Sequence, residues 1–243
     1  MASYGKGILL TQPNPLLNNM TRIIIIGEGQ TEQAFCNDVL QPHFIPLDIY
    51  IQNPVIKKTK GGIVPWATLK HQIQTHLLED QTVFVTMLID YYGIYGHHKY
   101  PGWEEAERLN DKGQRLDLIE AAMLSDIPSD LRRRFIPYIQ LHEFEGLVFS
   151  DIEVFNNGFE DNELDDYAYL VETIERNPNP ELINNDRETS PSKRLERIIK
   201  GYKSENENNK IFYGALLTHD IGLAKIRQKC PRFNNWIAKL ETL

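Results

Sequence analysis

RIIIIGEGQTE, residues 22–32, decides the fold. Four consecutive isoleucines leave no polar face, and their β-branched side chains favour extended backbone. A short apolar run without alternation is the mark of a strand covered on both sides, as in a parallel sheet. Gly27 and Gly29 end the run. TEQAFCNDVLQPHF then reads as a helix, with Thr31 as candidate N-cap, an apolar stripe of Ala34, Phe35, Val39 and Leu40, and Pro42 as its stop.

The alternation continues along the chain. IPLDIYIQN (45–53) reads as a less buried strand, WATLKHQIQTHLLED (66–80) as a surface helix and TVFVTMLID (82–90) as another buried strand. Residues 104–125 read as a helix, and RFIPYIQLHEF as a further strand whose Pro137 implies an edge or a bulge. This is an α/β fold with a mostly parallel sheet flanked by helices over residues 21–155. Residues 156–243 read as a helical C-terminal region packed on that core, with an acidic helix at 160–177 and a long polar connection at 178–194. Residues 1–20, rich in turn formers, read as an extension outside the fold.

Composition narrows the function. With 34 acidic against 26 basic side chains, the net charge of −8 argues against indiscriminate coating of nucleic acid. A local basic patch, such as Arg132–Arg134 or the KRLERIIKGYK stretch, remains compatible with gripping a phosphate backbone; both also read as ordinary solvated faces. No run of about 18 apolar residues occurs, so no membrane span is expected. The two cysteines, Cys36 and Cys230, lack metal-type spacing and fit a reducing, cytoplasmic setting.

The strands end alike. The first delivers Glu28, with Glu32 one helical turn on; the next buried strand closes on Asp90; the last runs out in His142, Glu143 and Glu145. In an open α/β sheet the ligand crevice lies at the carboxyl ends of the strands. Any one of these acids alone reads as a helix cap or a solvated strand end. Together they form a candidate cation site, since crowded carboxylates repel unless a cation lies among them. Oxygen donors without cysteine favour Mg²⁺ or Mn²⁺. Extended geometry puts Glu143 and Glu145 on one face, with Phe144 turned toward the other. Tyr91, Tyr92, Tyr95 and Trp103, in the loop that also carries His97 and His98, are candidates to stack on unpaired bases or to fold back on the domain.

GEGQTE after a buried strand, Asp90 closing its strand and the HEFEGLVFSD block together resemble a Toprim-type metal site, the small α/β domain of topoisomerases, bacterial primases and overcoming-lysogenization-defect nucleases. More closely, the chain resembles domain-of-unknown-function family 4276. The blocks are Glu28 to Glu32, Asp90 to Gly93, His142 to Asp151, Pro191 to Leu195, and Cys230 to Leu240. The resemblance implies a Toprim-like fold and a Mg²⁺-dependent nuclease acting on DNA or RNA. Glu28, Asp90 and Glu143 would be metal ligands, Glu32 and Glu145 second ligands or the base, and Lys193 the phosphate-facing cation. Tyr92 stands where Toprim nucleases carry the second acid of an Asp-x-Asp pair. The resemblance also implies an anti-phage effector working with an ABC/AAA-type ATPase, as a hetero-complex or homo-oligomer, for the chain has no P-loop of its own. Two other readings stay open: a docking module that has lost catalysis, and phosphoryl or nucleotidyl transfer.

Overall fold

The computed structural model describes residues 20–57, 62–160, 162–184, 186–202 and 208–243. The N-terminal extension and the basic loop KKTKGG lie, apart from their edges, outside the described residues. Four strands, β1 (Thr21–Gly27), β2 (Ile49–Gln52), β3 (Phe84–Leu88) and β4 (Phe135–Ile136), form an all-parallel sheet in the order β2-β1-β3-β4. β1 is central, and all its isoleucines are buried. β2 and β4 are the edges, as the partial burial of β2 and Pro137 after β4 require.

Both faces of the sheet are covered. α1 (Gln30–Phe35) and α2 (Gln41–Phe44) follow β1 and share a core with Ile23 and Ile25. α3 (Trp66–Glu79) and, beyond the short α4 (Trp103–Ala106), α5 (Lys112–Asp126) cover Ile24 and Ile26 from the other face. The chain thus leaves β1 for β2 on one side, then crosses to β3 on the other. The carboxyl ends of β1 and β3 flank the resulting switch point, where doubly wound sheets open a crevice.

The C-terminal third adds α6 (Glu153–Gly158), α7 (Tyr167–Arg176), α8 (Pro191–Ile198), α9 (Asn208–Ile221), α10 (Leu223–Lys229) and α11 (Pro231–Glu241). α10 and α11 complete the layer begun by α1 and α2, placing Ile226, Phe233, Trp236 and Ile237 against the sheet. α9 lies on α1 so closely that a Cβ on Gly214 would meet Thr31 Cγ2 at 2.7 Å.

Several expectations are corrected. Pro42 does not stop the first helix. A π-helical turn, Cys36–Leu40, precedes it, and Pro42 falls near the start of α2, where its missing N–H is tolerated. Thr31 is not the N-cap. Gly29 is, with its N–H bonded to Glu32 Oε2 at 2.7 Å. The 104–125 helix is two helices, the second capped by Asp111, and the acidic 160–177 helix begins only at Tyr167, capped by Asp166. The polar connection ends four residues early, at Ser190, and Pro191 opens α8.

The largest correction concerns LHEFEG. β4 spans only two residues, because Pro137 has no N–H and the Ile139 N–H goes to Glu120 Oε1 at 2.7 Å. Pairing resumes for one bridge between Asp90 and Gln140. His142 then adopts a left-handed conformation, φ 66°, and a 3₁₀ helix runs from Phe144 to Ser150. Glu143 caps that helix and Glu145 lies in its first turn, so the two acids do not share a strand face.

Trp236 joins the C-terminal helices to the sheet. Its ring stacks on Tyr138 at 4.5 Å, and its Nε1–H donates to the buried Thr86 hydroxyl of β3 at 2.9 Å. Trp236→Ala is expected to destabilise the chain by about 3–5 kcal/mol in urea unfolding. Trp236→Phe should cost less, retaining a penalty of about 1 kcal/mol or more for the Thr86 hydroxyl it strands.

Candidate carboxylate site at the sheet switch point

Parallel pairing sets the site. Gly27 of β1 lies beside Leu88 of β3, so Glu28 and Asp90 leave the sheet side by side. The Asp90 N–H donates to Glu28 Oε2 at 3.2 Å. The Asp90–Gln140 bridge brings the chain after β4 to the same place, where the Phe144 N–H donates to Asp90 Oδ1 at 2.8 Å. Glu32 reaches back from α1 to the Gly29 N–H. Glu143 accepts from the Ser192 N–H at 2.8 Å and from the Ser192 hydroxyl at 3.1 Å, at the start of α8. Each of these four carboxylates therefore has an oxygen oriented by a backbone N–H.

Asp90 is the centre. It is half-buried, and its carboxyl is held well above the usual carboxylate range, first by loss of solvation and then by Glu28, Glu145, Glu32 and Glu143 in that order. Every one of these influences pushes the same way. Buried acids elsewhere in the chain differ. Glu120 also rises through burial, but Arg232 pulls it back, and Glu181 is offset by the Arg232 and Phe233 N–H groups. Those two are structural ion-pair and capping acids. Asp90 sits among negative charge.

Five carboxylates thus gather at the carboxyl ends of β1 and β3 and the chain after β4, and Lys193 follows the Ser192 that holds Glu143. Glu32 and Glu145 are as buried as core residues, at 7% and 3% exposed. Among the described residues, however, no group of three or more acids, histidines or cysteines closes into a preassembled metal cage. The hydrogen bonds explain the lack of closure: backbone donors hold the acids at the crevice walls. The donor set fits a hard divalent cation. The nearby Cys36 offers no soft ligand, since burial and then Glu32 push its thiol well up.

Lys193 follows Ser192 on α8 and bonds both oxygens of Glu196 at 2.8 Å. Three of the other basic candidates, Arg132, Arg134 and Arg194, are engaged in the fold. Arg132 and Arg134 cap carbonyls such as Ile127 and Leu77, and Arg194 holds the Thr189 carbonyl while lying over the Tyr169 ring. Of the loop aromatics, Tyr91 is buried with Trp103 tilted against it, whereas Tyr95 is exposed and stacks on His97 and His98. His142 is buried, and burial followed by Lys112 lowers its pKa to about 4, so it is a neutral imidazole at neutral pH.

Sequence reasoning missed Ser192, Tyr100 and Tyr202. Ser192 could have been found inside the Pro191–Leu195 block, as the residue that anchors Glu143. The two tyrosines carried no signal: Tyr202 read as part of a basic stretch. Both are buried with hydroxyls that have no hydrogen-bond partner among the described residues.

The crowding has a measurable consequence. In the unfolded chain Asp90 ionises near its ordinary pKa, about 3.9; in the folded chain it holds its proton to higher pH. Stability from this group is thus full below the unfolded value and is lost as pH rises through the folded one. Asp90→Asn keeps the oxygen that accepts from Phe144 but cannot ionise. In EDTA at pH 7.5 the variant should melt higher than the wild type by on the order of a few °C, with the difference vanishing below about pH 4. A scanning-fluorimetry pH series checks this, and a variant less stable at pH 7.5 would contradict it.

No curated protein and no solved structure shows significant similarity to this chain. The family model described as a domain of unknown function (DUF4276) matches residues 27–241, from the glycine before Glu28 to the last turn of α11. That span takes in every acid of the crevice together with the α8 segment that holds Glu143, and the chain belongs to the DUF4276 family.

Proposed function

We propose that the chain is a divalent-cation-dependent phosphodiester hydrolase of the Toprim type. The observation that carries this reading is Asp90, half-buried at the switch point, its pKa raised by four further carboxylates, with Lys193 next to the Ser192 that holds Glu143. Carboxylate clusters at the carboxyl ends of parallel strands are built to neutralise a cation and, through it, a phosphate. Glu28, Asp90 and Glu143 would hold Mg²⁺ or Mn²⁺, which supplies charge stabilisation for the attacking and leaving oxygens. Glu32, fixed by Gly29, orients the first helix at the site. Glu145, in the first 3₁₀ turn, would take the proton from an attacking water. Lys193 offsets charge developing on the phosphate.

The anti-phage role, a nucleic-acid substrate and an ATPase partner rest on the resemblance of the five sequence blocks. They are in keeping with a chain that lacks a P-loop. Among the described residues no helix is long and apolar enough to cross a membrane. Tyr92, which donates its N–H to the His142 carbonyl at 2.8 Å in place of supplying an acid, favours a second reading: a docking module that has lost catalysis.

The test is cleavage of plasmid DNA and of total RNA with and without Mg²⁺ or Mn²⁺. Cation-dependent cutting is expected, reduced about 100-fold or more in Asp90→Asn, and about 10²–10³-fold in Lys193→Ala with cation affinity retained. If nothing is cut, Mn²⁺ calorimetry separates the readings. Binding lost in Asp90→Asn marks a site awaiting its partner; no binding by the wild type supports the docking module.

A further inference from the structure

Two buried tyrosines lie within the electrostatic reach of the carboxylate cluster. Tyr100, in the loop after β3, is 2% exposed, and Glu28 is the charge that acts on its hydroxyl. Tyr202, in the turn after α8, is 3% exposed, and the charges acting on its hydroxyl are Glu145, Glu143 and Glu196. Neither hydroxyl has a hydrogen-bond partner among the described residues. Leaving a buried hydroxyl unmade is costly, and native folds retain few. Ring packing explains the body of Tyr202, which stacks near Tyr213 at 6.0 Å within the third apolar cluster. It does not explain the oxygen, because a phenylalanine would pack there equally well.

The two sides of the crevice differ in charge. Tyr100 borders a groove of about 680 Å³ whose walls include Glu104, Glu105 and Glu107, an unfavourable approach for an anion. Tyr202 packs in one cluster with Val148 and Phe149 of the 3₁₀ helix and with Leu195 and Ile198 of α8, the helix that carries the Lys193–Glu196 pair, whose Lys193 side chain is 37% exposed. An incoming phosphate oxygen on that side would meet an ammonium group and an O–H donor. The neighbouring carboxylates offer no donor to compete with them once ionised.

We propose that Tyr202 is a substrate-contacting residue whose hydroxyl donates a hydrogen bond to a non-bridging phosphoryl oxygen on the Lys193 side of the crevice. This assignment rests on the phosphodiester reading above. It extends that reading by placing the scissile phosphate between Asp90 and α8, not over the acidic groove beside Tyr100. A phenol is suited to the position, because it supplies a donor without adding charge beside three carboxylates.

The test uses the full chain, with inorganic phosphate titrated by calorimetry in the presence and absence of Mg²⁺, and melting temperatures taken in parallel. Tyr202→Phe should melt at the wild-type temperature or above, since it removes an unsatisfied hydroxyl, and should bind Mg²⁺ within about twofold of wild type while losing about tenfold in phosphate affinity, one hydrogen bond's worth. Tyr100→Phe should leave phosphate affinity unchanged. Equal phosphate affinity in Tyr202→Phe and wild type overturns the assignment. So does a lower melting temperature for Tyr202→Phe, which would mean the hydroxyl already serves the fold, and so does a wild-type chain that binds no phosphate under either condition. A wild type that binds phosphate but no cation, with the loss still confined to Tyr202→Phe, would sink the metal-dependent reading and keep Tyr202.

Discussion

Repulsion among buried carboxylates is the constraint on which the rest of the structure depends. Asp90 alone would be a costly burial. With Glu28, Glu32, Glu143 and Glu145 acting on it, the cost grows, and burial and charge push in the same direction. The fold answers with backbone N–H groups placed opposite the acids: Gly29 for Glu32, Asp90 for Glu28, Phe144 for Asp90 and Ser192 for Glu143. Hydrogen bonds to charged groups are among the stronger ones a protein makes. They come from four separate segments, so the acids are held in relation to one another only when the whole sheet edge is assembled.

That assembly explains the architecture around the crevice. The parallel register brings Glu28 and Asp90 together, and the truncated β4 delivers its acids through a left-handed residue and a 3₁₀ turn. An unbroken strand would have sent Glu143 and Glu145 in one common direction. The break at Pro137 and His142 lets Glu143 turn to Ser192 while Glu145 enters the first 3₁₀ turn. A non-glycine residue in the left-handed region is uncommon enough to indicate that this path is held by its surroundings. The Tyr92 N–H bond to the His142 carbonyl is one such hold.

The sheet and the identity of the acids were legible in the sequence because both are local signals. Four isoleucines with no polar partner announce a two-sided strand, and Gly-Glu-Gly announces its end. The route by which Glu143 and Glu145 arrive was not legible. Strand and 3₁₀ turn differ there by the φ of one histidine, and nothing in HEFEG declares it. Tyr202 was hidden for a different reason: its meaning lies in a neighbour about sixty positions away, and a single sequence carries no such pairing. The basic residues misled, since Arg132, Arg134 and Arg194 serve carbonyls of the fold, a use that composition does not separate from a phosphate grip.

The bond between Glu143 and Ser192 reaches beyond geometry. The acids all come from residues 28–145, a span that looks like a self-sufficient α/β unit. Its most distal ligand candidate is nevertheless oriented by α8, and its first helix is pressed by Gly214 of α9. The chemistry and its scaffold are therefore encoded in separate halves of the chain that cannot drift independently. A C-terminal half that lacked Ser192 or carried a side chain at position 214 would keep every acid in the chain yet lose the bond on Glu143 or the close seat of α1, so the two halves act as one unit.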